Sequence, residues 1–189
     1  MNKTLIKCAF VGGIIVFIWG MASWMVLPWH KMAMNKFTNE QKVAEVIREN
    51  AHVDGIYILP NKYKIAGSPE EKQKQTAQDN EMLEKGPVMF SSICLQGIDG
   101  RGIRPFIISI IINFVAAYVI TWMLMQTKAM SYRKSVGFIT LVGVLAALLG
   151  DLPQWNWMGV AGNYIFICIF DHVIGWFLGG LAIAKICKR

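Results

Sequence analysis

Polar and apolar residues alternate along this chain in blocks. Residues 8–27 carry no charge and are rich in Ile, Val, Phe and Trp. Such a run forms a helix about 30 Å long, the thickness of a bilayer's hydrocarbon core. Three more apolar blocks follow at 105–126, 135–151 and 164–184. Between the first and second lies the one extended polar region, residues 29–104. The expected fold is therefore an all-α integral membrane protein with four transmembrane helices and a small α+β extracytoplasmic insert between helices 1 and 2. The organisation is 1–28 (first span), 29–104 (insert) and 105–189 (three-helix region).

Inside the insert the pattern predicts four short elements. Thr38 followed by Gln41 reads as a capping box, and Val43, Val46 and Ile47 then share one helical face, so residues 39–50 form an amphipathic helix. Ile56-Tyr57-Ile58-Leu59 is a β-prone run stopped by Pro60. Ser68-Pro69-Glu70-Glu71 is a second capping box with proline at the first helical position, predicting a polar helix to about Lys85. Val88–Ile93 is a second strand candidate after Gly86-Pro87. Two strands and two helices bury little core by themselves, so the insert is expected to lean on a membrane face or a partner.

Residue spacing assigns faces to the later spans. Ser109, Asn113, Ala117 and Thr121 form an i+4 stripe of small and polar residues. Gly143 and Ala147 continue to Asp151 on one face of the third span. On the fourth, Cys168, Asp171, Gly175 and Gly179 share a face. Small residues at this spacing let helices approach closely in lipid. The third span, read from Ser135, is short, and the stretch from Asp151 to Asn163 reads as a tryptophan-rich interfacial turn.

Composition supports the membrane reading. Charged residues are 16% of the chain, against about 25% in soluble domains. The formal charge of +7 comes from short flanks and not from a basic stripe with interleaved aromatics, so nucleic acid is not an expected partner. Lys3 and Lys7, then Lys128, Arg133 and Lys134, then Lys185, Lys188 and Arg189 fall on one side of a four-span topology. The positive-inside rule makes that side the cytoplasm, with both termini there and residues 29–104 outside. A bacterial-type inner (plasma) membrane is the expected location. The first apolar run exceeds a signal-peptide core, so it is expected to stay as an anchor. Three of the four cysteines lie in or beside apolar blocks and read as small buried hydrophobes.

Candidate chemistry is sparse. Asp171 and its neighbour His172 sit inside an apolar run, and an ionisable residue at membrane depth is a functional candidate by default. Asp171 and Asn113 fall at equal depth, so a contact between them is expected, with Asp151 above. His30, Met32 and Met34 offer a weak soft-metal pattern. No nucleophile set, metal-ligand cluster or phosphate loop stands out, and the sequence names no cofactor. The leading expectation is a non-enzymatic accessory or assembly subunit whose partners are the lipid bilayer and other membrane-protein subunits. The alternative is a small proton- or ion-conducting protein using Asp171. A third reading is a haem- or metal-binding protein using His172 or His30.

Overall fold

The computed structural model describes residues 3–100 and 102–187; the basic residues Lys188 and Arg189 of the expected cytoplasmic flank lie outside them. The protein is mostly helical (71%), with four helices long and apolar enough to span a membrane and a two-stranded sheet. Two compact units divide it. One comprises the chain up to Asn35, Gly100–Pro153 and the chain from Ala161. The other comprises Lys36–Asp99 and Gln154–Val160.

In the first unit α1 (Lys3–Met21) runs on into a single π-helical turn, Ala22–Val26. Leu27 is extended and Pro28, which has no N–H to donate, starts the short α2 (Trp29–Ala33). Residues 29–35 fall in the same compact unit as the long helices. The other long helices are α5 (Arg104–Gln126), α6 (Tyr132–Gly150) and α8 (Gly162–Ile186). Proline near the start of α5 occupies a position whose N–H would have no helical partner.

The third helix starts at Tyr132, earlier than expected, so its 19 residues span about 28 Å. Arg133 and Lys134, which had marked a connection, form its first turn. The expected interfacial turn after Asp151 contains a further helix, α7 (Leu152–Met158).

α1 packs against both α5 and α8, and α8 packs against α6, whereas α5 and α6 meet over few residues. Cys8, Ala9, Ala117, Ile120, Leu124, Ile139, Trp176 and Ile183 form the core. Small residues set the helix spacing. A Cβ on Gly143 would stand 2.8 Å from the His172 carbonyl oxygen, and one on Gly179 would stand 2.9 Å from a Val16 methyl. A Cβ on Gly175 would approach Trp19 to 3.1 Å. Ala147 is buried on the same side of α6 as Gly143.

In the second unit α3 (Glu40–Asn50) is capped by Asn39, whose Oδ1 accepts from the Lys42 N–H at 2.9 Å. This corrects the expected cap at Thr38: the carboxamide one residue later takes the role, as one of the strongest cap formers. β1 (Gly55–Leu59) and β2 (Met89–Ile93) pair antiparallel, with Tyr57 opposite Ser91. Asp54 accepts from the Leu95 N–H at 2.8 Å and fastens one end of the ladder. α4 (Pro69–Lys85) begins with a complete capping box between Ser68 and Glu71. Its one buried residue is Asp79.

Candidate functional site

Asp171 lies on the face of α8 turned towards α1. The π-helical turn widens the end of α1 and leaves Ser23 fully buried opposite it. The Ser23 hydroxyl donates to Asp171 Oδ1 at 2.6 Å, and His30 Nε2 stands 2.9 Å from Asp171 Oδ2. The Trp29 indole N–H donates to Ser23 Oγ at 2.9 Å. A carboxylate only accepts, and the Ser23 proton is already committed to it, so His30 Nε2 is the donor. Its contact to Ser23 Oγ at 3.1 Å is a second, shared acceptor. His30 is 1% exposed, and its Nδ1 finds no hydrogen-bond partner among the described residues. The Trp24 ring stacks on the imidazole with centroids 3.8 Å apart.

This set contains serine, histidine and aspartate but does not form a hydrolase relay. A relay needs the acid on one imidazole nitrogen and the nucleophile on the other. Here both meet Nε2, and the buried serine donates straight to the carboxylate. The chemistry this arrangement performs is to hold a carboxylate at a fixed place in an apolar bundle. It ties the far end of α1 and the start of α2 to the middle of α8.

A second acid–imidazole pair sits one residue on. His172 points towards α6. Its Nδ1 lies 3.0 Å from the Cys168 carbonyl, within the same helix. It also lies 3.0 Å from Asp151 Oδ2, but off the hydrogen-bond direction. No hydrogen bond reaches that buried oxygen among the described residues. Asp151 is 7% exposed.

The structure gives Asp171 different partners from the one expected. Asn113 donates to the Ser109 carbonyl at 2.8 Å, one turn back in its own helix. α1 lies between α5 and α8, so the carboxylate is met first by α1. Asn113 and Asp171 do line one cleft of about 760 Å³, with Asp151 and His172. It lies where α5 and α6 fail to meet, and its walls include Trp19, Trp24, Phe106 and Trp176. His30 turns inward to Asp171, while Met32 is 78% exposed and Met34 is 50% exposed. The three do not converge. Among the described residues no group of three or more His, Cys, Asp or Glu is placed to hold a metal ion.

Sequence reasoning missed Ser23 and offered His30 only as a metal or haem ligand, not as a partner of Asp171. The available signal was type: Ser23 is the lone hydroxyl in the first apolar run, residues 8–27, near its outer end. Comparison with protein-family models, with curated proteins and with solved structures returned no match.

Proposed function

We propose that the chain is a multi-pass inner-membrane protein with both ends cytoplasmic and its polar insert outside, acting as a non-catalytic accessory or assembly subunit of a larger membrane complex. The insert carries this reading. Within Lys36–Asp99 the buried residues are Ala51, Pro60 and Asp79 alone among those described. Val53, Ile56, Tyr63 and Ile98 are 58–86% exposed. An isolated two-stranded sheet is marginal in water, and a surface with so many uncovered apolar side chains marks an interaction face. A partner that covers this face supplies what the insert lacks.

Three features support the membrane placement. Four helical segments, Lys3–Val26, Arg104–Gln126, Tyr132–Met158 and Gly162–Ile186, are long and apolar enough to cross a bilayer. Large apolar side chains such as Phe10, Ile112, Leu141 and Phe166 point outward from the bundle. The basic flanks fall on one side. The ion-conducting alternative receives less support, because among the described residues the only buried polar side chains of the helical unit beyond the two acid–imidazole pairs and Ser23 are Thr121 and Ser135.

Gentle extraction of the tagged full-length protein, followed by mass spectrometry, tests the proposal. Larger membrane subunits are expected in fixed ratio. Their recovery is expected to fall in a Val53→Glu, Ile56→Lys double variant that leaves the bundle untouched. A protein that purifies alone, or only with copies of itself, refutes the accessory role.

A further inference from the structure

We infer that the cleft between α5 and α6 is a binding site for a hydrophobic organic cation that enters from the bilayer. The inference stands apart from the accessory role, since it rests on the helical unit alone.

Volume is the first ground. About 760 Å³ lies within the range of about 300–1,000 Å³ that holds a small organic molecule. Charge is the second. Two carboxylates, Asp151 and Asp171, face the cleft; its one basic lining side chain is His172, beside Asp151, and no lysine or arginine lines it. Asp171 has one hydrogen bond on each oxygen, which leaves lone pairs for a further partner because a carboxylate offers about four acceptor sites. The buried Asp151 Oδ2 accepts no hydrogen bond among the described residues. Its one near neighbour of opposite character is the His172 ring, 3.0 Å away and off the hydrogen-bond direction, so a cation in the cleft adds charge compensation that the side chains leave incomplete.

The walls are the third ground. Trp19, Trp24 and Trp176 present aromatic surface beside the acids, and indole faces attract cations that have left water. Acids with aromatic walls select a cation with an apolar body. A bare metal ion would find too few ligands here. A zwitterionic lipid headgroup would bring its phosphate against the same two carboxylates.

The test uses the full-length protein in nanodiscs of anionic lipid, with tetraphenylphosphonium as the probe and tetraphenylborate as its counterpart of equal shape and opposite charge. Saturable binding of the cation, read by equilibrium dialysis and by quenching of tryptophan fluorescence, is expected, and none of the anion. Asp151→Asn and Asp171→Asn should each weaken cation binding by about thirtyfold or more, the lower end of the scale for losing one partner of a buried charge pair. Asp171 also ties helices together, so Asp171→Asn can fail to fold. Ala146→Trp then serves: residue 146 lines the cleft, is exposed, and touches neither tie. That variant should abolish binding while keeping the elution volume of the parent. Equal binding of both ions overturns the inference, as does unchanged cation binding in both Asp151→Asn and Ala146→Trp.

Discussion

Gly143→Ala on α6 isolates what one methyl group does to the helix packing. The added Cβ would stand 2.8 Å from the His172 carbonyl oxygen and 2.9 Å from Trp176 Cβ. Carbon–oxygen contacts of this kind settle at about 3.3–3.6 Å, so α6 and α8 must separate by roughly 0.5 Å at this level. The nearest obstacle is backbone and cannot rotate away. Overpacking of this sort costs about 1–3 kcal/mol. Glycine to alanine inside a helix also gains up to about 1 kcal/mol from propensity alone, which would mask the loss. Gly137, on the same helix, removes the ambiguity, because a Cβ there meets nothing within 4 Å. The two variants share the propensity gain and differ in the clash. Equilibrium unfolding in mixed micelles of a mild detergent and dodecyl sulfate, followed by tryptophan fluorescence, should place Gly143→Ala below Gly137→Ala by about 1–3 kcal/mol. A difference smaller than about 0.5 kcal/mol, the ordinary scale for an uncrowded surface site, would refute the packing of α6 on α8 through Gly143.

His30→Ala leaves Asp171 Oδ2 without its donor inside the bundle, and breaking a buried acid–base pair costs about 3–5 kcal/mol. With the Asp171 side chain 17% exposed, the lower end of that range is expected in the same unfolding assay, and a loss below about 1 kcal/mol would show that the pair holds nothing. At the opposite end of the bundle the Cys8 and Cys187 thiols face each other at 2.9 Å. A mild oxidant such as copper phenanthroline should therefore take two electrons and two protons from the pair and join them, at a sulfur separation of about 2.05 Å. Mass spectrometry of a non-reduced digest reads the cross-link, and its failure to form under conditions that oxidise exposed Cys94 would refute the approach of α1's start to the end of α8.

How much of this was legible in the sequence follows from the range of each interaction. The four long helices are readable because a charge-free run is a local property, and so are the Ser68 capping box and both strands. The shared face of Asp171, Gly175 and Gly179 needs only the 3.6-residue period. Start points were less secure. Arg133 and Lys134 read as a connection, yet long basic side chains extend from a helix's first turn into water without ending the helix. Thr38 and Asn39 are adjacent cap formers, and local spacing does not choose between them. The partners of Asp171 were illegible for a different reason. They depend on which helix stands between α5 and α8, and that order is fixed by tertiary packing. Equal depth matched Asn113 to Asp171, and only the position of α1 brings Ser23 there instead.

The order of the helices also accounts for the cleft. Small residues bring three neighbouring pairs close: Gly13 on the Phe114 backbone joins α1 to α5, Gly179 on Val16 joins α8 to α1, and Gly143 on His172 joins α6 to α8. These contacts arrange the helices in the sequence α5, α1, α8, α6, which leaves α5 and α6 as the outer pair. The short connection after Gln126 holds α5 and α6 together at one end. Within the helical unit the other ends of α5 and α6 have no such connection, and the gap there is the cleft. Asp171 borders it because it shares the α1-facing side of α8, and Asp151 because it ends α6 at that level. The opening and its two carboxylates thus follow from the same small-residue faces that hold the bundle together. The Gly143 contact runs through the backbone of His172, a cleft residue. A change in the α6–α8 spacing that costs stability must therefore also move one wall of the site.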